Sequence, residues 1–276
     1  MPIAFEQVSF SYDDERDALQ NIDLVVEDGE FLGVIGHTGS GKSTLVQLMN
    51  ALLVPTAGCV LVDGLDTRER KLRREVRTKV GLAFQYPETQ LFANTVAEDV
   101  AFGPRNLGLS DDEVNRRVRE ALDHVGLDYD AIAQRSPFDL SGGQQRRVAL
   151  AGILAMEPSV LVLDEPAAGM DPATVDEIRN YLRDLNDQGL TIVLVSHSMD
   201  DVAELCSRIV VLHMQGTPDE LFTAQNAAEL RRINLDVPRA TKFALELAQC
   251  GLVLPEPILD EQQLVEALIA LRERNE

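Results

Sequence analysis

Two glycines, a lysine and a hydroxyl fall at the spacing G-x-x-x-x-G-K-[ST] in Gly36-His37-Thr38-Gly39-Ser40-Gly41-Lys42-Ser43, with a third glycine, Gly39, between them. Glycines let backbone N–H groups turn inward around phosphate oxygens. A helix opening at Lys42 adds partial positive charge from its N-terminus. Lys42 is placed to reach the β- and γ-phosphates of a nucleotide, and Ser43 to hold Mg²⁺; ATP is the expected ligand of the whole loop, Gly36 to Thr44. A second group is acidic. Val160-Leu161-Val162-Leu163 ends in Asp164-Glu165. Beside a phosphate loop the first carboxylate can position Mg²⁺ and the second can polarise an attacking water, which is most of what phosphoryl transfer asks of a protein. A third group is Leu140-Ser141-Gly142-Gly143-Gln144. Ser141 and Gln144 have capping-box spacing, and two glycines at a helix start leave bare N–H groups for an anion. The chain thus holds two phosphate-gripping helix starts, about a hundred residues apart. Either it binds two ligands, or the second site of one chain completes the first site of another.

These groups need rigid supports, and the hydrophobic pattern supplies them. Ile3–Val8 and Ile22–Glu27 read as strands around the turn-like Asp13–Arg16. Phe31–Ile35 is a buried strand ended by glycine, with a helix following from about Lys42. Val80–Phe84, Val160–Leu163, Thr191–Val195 and Arg208–Leu212 are further apolar strands. A helix is expected over Pro172–Gln188 and another over Gln145–Met156. Ser110 with Glu113 predicts a capping box, opening a helix whose apolar face is Val114, Val118, Ala121, Leu122 and Val125. Strand-helix-strand alternation predicts an α/β fold with a parallel sheet between helices. The helix-rich stretch Pro87–Asp139 interrupts it as an inserted subdomain.

Composition limits the setting. Of 276 residues, 45% are hydrophobic and 26% charged, which suits a globular core. No apolar run approaches the ~20 residues that span a bilayer, and the N-terminus lacks a signal-peptide pattern. A cytoplasmic chain is expected, so any membrane role requires partners that supply the spans. Cys59, Cys206 and Cys250 are scattered, with no disulfide or zinc pattern. A formal net charge of −21 repels nucleic acid and anionic lipid at long range. The one basic cluster, Arg68, Arg70, Lys71, Arg73, Arg74, Arg77 and Lys79, is interleaved with Glu69 and Glu75 and holds no stacking aromatics; it reads as a solvated helix face.

Leu140-Ser141-Gly142-Gly143-Gln144 resembles the signature of ATP-binding-cassette ATPases, and other features follow in that family's order. Tyr12 matches the aromatic residue that stacks on adenine, and Gln85 the Q-loop glutamine. Ala168-Gly169-Met170-Asp171 matches the D-loop, and His197 the switch histidine. The resemblance runs from Ile3 to about His213. It implies a P-loop NTPase core with an antiparallel β edge, a helical subdomain and a C-terminal helical extension. It also implies ATP sandwiched between the phosphate loop of one subunit and the signature of another. Glu165 is then the general base, with His197 and Gln85 sensing the γ-phosphate. Ser43, Gln85 and Asp164 would hold Mg²⁺, and Asp171 would sit at the nucleotide interface. On this reading 1–216 is the nucleotide-binding domain, with its helical subdomain at about 87–158, and 217–276 is the extension.

The block Gln85-Tyr86-Pro87-Glu88-Thr89-Gln90-Leu91-Phe92, followed by Thr95–Pro104, is similar to the ATPases of energy-coupling factor transporters, which import vitamins and transition-metal ions. Gly36-His37-Thr38-Gly39-Ser40, Leu154-Ala155-Met156-Glu157-Pro158 and Ser198-Met199-Asp200-Asp201-Val202 resemble the second of their two ATPase types. The resemblance implies a second ATPase subunit, commonly in a heterodimer. It implies a transmembrane coupling protein gripped near Pro87–Asn94, a separate substrate-capture membrane protein, and a place on the cytoplasmic face of the cell membrane. No nucleic-acid partner is expected. In the extension Leu264, Leu268 and Leu271 fall on one helical face, which is either core within the chain or a dimerisation surface; the resemblance implies the second. One departure stands out: His213-Met214-Gln215 runs almost directly into Gly216-Thr217-Pro218 where the family usually has a hairpin, which leaves pairing at that sheet edge open. Rival readings are another ABC importer, a non-hydrolysing regulatory module, or a soluble cassette protein acting on ribosomes or DNA. Intact Glu165, Gln85 and His197 speak against the second. The acidic charge, single cassette and lack of coiled-coil insertions speak against the third.

Overall fold

A computed structural model describes residues 2–12, 17–167, 172–211 and 214–275. The chain begins with β1 (Ile3–Ser11), β2 (Asp17–Val26), β3 (Phe31–Ile35), α1 (Lys42–Met49), β4 (Ala57–Val62) and β5 (Leu65–Asp66). It continues through α2 (Arg73–Lys79), β6 (Val80–Ala83), α3 (Val96–Asn106), α4 (Asp111–His124), α5 (Tyr129–Ile132) and α6 (Gly142–Leu154). Next come β7 (Val160–Asp164), α7 (Pro172–Asp187), β8 (Thr191–Val195), α8 (Met199–Leu205), β9 (Arg208–Val211) and β10 (Met214–Gly216). Four helices close it: α9 (Pro218–Leu221), α10 (Ala224–Arg232), α11 (Arg239–Gln249) and α12 (Glu261–Asn275). The expected α/β class is what the chain adopts, with an antiparallel β edge, a helical segment and helices at the end. By contacts it divides into two units: Met1–Glu30 with Ser43–Val193, and Phe31–Lys42 with Leu194–Glu276.

In the first unit an antiparallel sheet has the order β2-β1-β4-β5. Ile3 faces Val26 on one side and Val62 on the other, and the inward set Ile3, Phe5, Val8, Val26, Val60 and Val62 is buried. The predicted strands extend further than their apolar cores, and the expected turn Asp13–Arg16 lies outside the described residues. Strands β6 and β7 pair in parallel, Val80 opposite Val160 and Ala83 opposite Leu163. Both are buried at every position, as strands of a sheet covered on both faces must be. A Cβ on Gly81 would come within 2.5 Å of Ile153 Cγ2, so glycine is what lets α6 lie directly on β6.

The helical segment is capped by short polar side chains. Thr95 accepts from Glu98 N at the start of α3, and Ser110 from Glu113 N at the start of α4. The capping box expected at Ser110 is only half made. The Glu113 carboxylate turns instead to Arg116 and Arg117, at 2.6 and 2.8 Å, and these hold it down to a pKa of about 2. The apolar face of α4 buries Val114, Val118, Ala121, Leu122 and Val125 as its periodicity requires.

The basic cluster is not simply a solvated face. Arg73 donates to the Thr67 and Arg68 carbonyls, Arg74 to Asn106 O and Arg77 to Ala51 O. Arg68 pairs with Asp66 at 2.6 Å, and Lys79 with Asp63 at 2.6 Å. Each pairing holds its carboxyl below the usual range, chiefly through the hydrogen bond to the cation. The cluster ties α2 to neighbouring turns, a use that interleaved acids in a sequence do not reveal.

On α7, the Tyr181 hydroxyl is buried without a hydrogen-bond partner, and burial pushes the phenol well above its usual range. The ring lines a cavity of about 430 Å³ with His124, Arg117 and Leu185. A buried unpaired hydroxyl loses hydration for no return, so Tyr181→Phe is expected to stabilise the protein by about 1 kcal/mol. A urea midpoint that falls instead would mean that a water in the cavity already satisfies the hydroxyl.

In the second unit β3 runs parallel to β9, Leu32 opposite Arg208 and Ile35 opposite Val211, and all five β3 residues are buried. β10 pairs antiparallel with β9, Met214 opposite Val211, so the short connection at 212–213 still leaves this edge paired. Thr217 and Glu220 form a capping box on α9. In the extension Pro238 is the N-cap of α11, and Asp200 accepts from Arg239 N and Nε at 2.8 and 2.6 Å. Leu264, Leu268 and Leu271 of α12 pack on Ala240, Leu254 and Ile258. The leucine face is therefore partly covered within this chain, while Val265 and Ile269 on the same helix are exposed.

Candidate functional site

The second unit carries most of the phosphate loop. Gly36 follows β3, and Gly39 and Gly41 take φ of +83° and +94°, the left-handed region that glycine enters without strain. A Cβ on Gly36 would meet Ser40 Oγ at 2.5 Å. Ser40 N donates to His37 O at 3.1 Å and closes the turn, while His37 Nδ1 lies 2.8 Å from Thr38 O. Lys42 is 8% exposed, and its ammonium donates to Gly36 O at 2.6 Å and His37 O at 3.0 Å. Ser40 Oγ is buried with no hydrogen-bond partner. A buried cation folded over a glycine loop, next to an unspent hydroxyl, fits a polyphosphate that would take over these bonds.

His197, in the same unit, is exposed on the turn between β8 and α8. Ser196 Oγ accepts from Ser198 N at 3.0 Å, and Ser198 Oγ caps α8 by accepting from Asp201 N at 3.2 Å. The two hydroxyls fix the backbone on either side of the imidazole.

The first unit carries the acidic strand end. Asp164 closes β7 at 8% exposure, and its Oδ2 accepts from Ser43 Oγ at 3.2 Å. Residues 121 apart in sequence thus bring two hard oxygen donors together. Among the described residues no group of three or more His, Cys, Asp or Glu side chains could hold a metal alone. Mg²⁺ needs no such cage, because it keeps several waters and takes substrate phosphates as ligands. The pair Ser43–Asp164 fits that role. Glu165 follows with φ +55°, a conformation disfavoured for a side chain with a Cβ and found where a function fixes the backbone.

Gln85 is exposed just after β6, and Tyr86 follows in the left-handed region at φ +59°. Residues 87–90 then form a 3₁₀ turn. Its Glu88 pairs with Arg146 of α6 at 3.0 Å, with 19% and 11% side-chain exposure, and the Arg146 guanidinium lies 5.4 Å from the Tyr86 ring. The members of this tie are 58 residues apart, so no local pattern signals it. Further on, Asp99 Oδ2 accepts from Phe92 N and Ala93 N at 2.9 and 2.8 Å. Phe92 meets Phe102 edge-on at 4.9 Å, with both rings more than half exposed.

The second candidate anion site begins earlier than expected. Helix α6 starts at Gly142, not Gln145, so both glycines lie in its first turn. The capping box is complete: Gln144 N donates to Ser141 Oγ at 3.3 Å and Ser141 N to Gln144 Oε1 at 3.1 Å. Tyr12 is 64% exposed beyond the end of β1. The D-loop match, Ala168–Asp171, lies outside the described residues.

Comparison with known proteins gives the same direction. Residues 19–168 match the family model described as ABC transporter. The chain is similar to the energy-coupling factor transporter ATP-binding protein EcfA2 of Symbiobacterium thermophilum, 54% identical over 97% of this chain and 96% of that protein. Among solved structures it is similar to cbiO1 from Clostridium perfringens, described as part of the ABC transporter complex cbiONQ. That match has a TM-score of 0.74 and 37% identity over 87% of this chain and 97% of the other. It is also similar to the ATP-binding cassette MJ0796, solved as a post-hydrolysis dimer bound to ADP and Pi. There the TM-score is 0.70, with 31% identity over 78% of this chain and 98% of the other.

Proposed function

Since the chain belongs to the ABC transporter family, and within it to the energy-coupling factor transporter ATP-binding proteins of the EcfA2 kind, we propose that it hydrolyses ATP in a dimer beneath an importer of a vitamin or transition-metal ion. ATP hydrolysis coupled to transport is the family's reaction. The observation that carries the catalytic part is the Ser43–Asp164 contact at 3.2 Å, which puts a phosphate-loop hydroxyl and a strand-end carboxylate where one cation can use both.

Residue by residue, Gly36–Thr44 wraps the phosphates, with Lys42 on the β- and γ-phosphates. Ser43, Asp164 and Gln85 would hold Mg²⁺, which would supply neutralisation of the charge on the phosphates. Glu165 accepts a proton from the attacking water and His197 orients the γ-phosphate. Tyr12 stacks on the base. Ser141, Gly142, Gly143 and Gln144 close on the nucleotide of another subunit. The nucleotide-binding domain is 1–216, with its helical subdomain at about 87–158. The extension 217–276 contributes to dimer contacts, through exposed side chains such as Val265 and Ile269.

The second subunit is a different ATPase of the same family, and a transmembrane coupling protein and a substrate-capture membrane protein complete the assembly. Among the described residues no helix is long and apolar enough to cross a membrane. Attachment at the cytoplasmic face therefore runs through those partners, on the surface that Phe92 and Phe102 open. The test is affinity purification from detergent-solubilised membranes. Recovery of a second cassette ATPase and a small polytopic protein is expected. Recovery of ribosomes or DNA instead would overturn the transport reading.

A further inference from the structure

Tyr12 extends from the end of β1 with its ring largely in solvent, yet the ring is held at two points. Its hydroxyl lies 3.0 Å from Thr44 Oγ1. Its side meets the Phe10 ring edge-on, with centroids 4.9 Å apart and planes at 86°. Phe10 and Thr44 are both buried, at 7% and 5% exposure, so the two anchors are fixed points. Phe10 is a residue of β1, and Tyr12 follows one residue past the strand's end. Thr44 sits in the first turn of α1, next to Ser43, whose hydroxyl bonds Asp164 at 3.2 Å. A surface tyrosine without such ties would sample several rotamers.

We propose that the Tyr12 hydroxyl is a positioning group. Through Thr44 it holds the aromatic ring as a preset platform for the nucleotide base, registered to the same helical turn that grips the phosphates. This rests on the reading of Tyr12 as the base-stacking residue and adds what holds it there. A base landing on a fixed ring loses less freedom than one that must first order it. Ordering one such side chain at an interface changes affinity by about two- to tenfold.

The test uses the full-length chain, with ATP and inorganic tripolyphosphate as two probes. Tripolyphosphate engages the phosphate loop but offers no base. Tyr12→Phe keeps the ring and removes only the tether. It is expected to raise the Kd for ATP about fivefold while leaving the Kd for tripolyphosphate as in the wild type. Thr44→Val is expected to weaken ATP binding to the same extent, and the double variant to be no weaker than either single one, because one hydrogen bond is lost in all three. Wild-type ATP affinity in Tyr12→Phe would overturn the proposal, as would losses that multiply in the double variant. An equal loss for tripolyphosphate would also overturn it, because the tether would then act on the phosphate loop itself. Tyr12→Ala separates this from the underlying reading. If it weakens ATP binding where Tyr12→Phe does not, the platform stands and the tether falls. If Tyr12→Ala binds ATP as the wild type does, the base-stacking role falls as well.

Discussion

Glu165→Gln is expected to bind ATP with near-native affinity and to hydrolyse it at least about a hundredfold more slowly, since a positioned general base contributes about 10² to 10⁴ in rate. Glutamine is nearly isosteric with glutamate. It inherits the left-handed backbone at φ +55° without adding bulk, and β7 before it is buried at every residue, so the fold should be unaffected. Asp164 and its contact with Ser43 remain, and phosphate and metal binding with them. What disappears is the carboxylate that takes the proton of the attacking water. With hydrolysis blocked and binding kept, ATP is not consumed and a closed dimer should accumulate. Size-exclusion chromatography with and without ATP, run beside a phosphate-release assay, reads both halves of this. Wild-type turnover would remove Glu165 from the role of base.

Local chemistry was readable from the sequence wherever it depended on near neighbours. The phosphate loop needs glycines, lysine and a hydroxyl within a few residues, and its φ values follow from those glycines. The strand end Asp164-Glu165 and the capping box Ser141–Gln144 are equally local. Buried strands announced themselves by unbroken apolar runs, and Phe31–Ile35 and Thr191–Val195 have the bounds that periodicity predicts. The contacts that assemble the site are different in kind. Ser43 with Asp164, Tyr12 with Thr44 and Glu88 with Arg146 join residues 121, 32 and 58 apart, and no single sequence encodes such pairings in its spacing.

One local expectation failed because a stronger partner competed. Glu113 left its capping role for Arg116 and Arg117, since charge-assisted bonds outweigh one to a neutral backbone N–H. The leucines of α12 were correctly grouped on one face, but amphipathicity says only that a face is covered. Ala240, Leu254 and Ile258 of the same chain cover part of it.

The second large effect concerns the helix start at Ser141. Gly143→Asp is expected to abolish hydrolysis, by at least about a hundredfold, while the isolated chain keeps its fold and its ATP affinity. The structure gives glycine no internal reason to be there. A Cβ at Gly142 or Gly143 meets nothing within 4 Å, and neither backbone is in the left-handed region. Aspartate in the first turn of a helix is favoured over glycine by propensity and by the helix dipole, together about 1 kcal/mol, so the thermal midpoint should hold or rise. The open space and the bare N–H groups of the first turn suit a ligand brought by something else. An anionic side chain there fills the space and repels a γ-phosphate. A stable, ATP-binding, inactive variant is thus what a site completed by another subunit predicts. If ATP binding by the isolated chain were lost along with turnover, both helix starts would have to grip one nucleotide within a single chain. If turnover were retained, the glycines would not face a nucleotide at all.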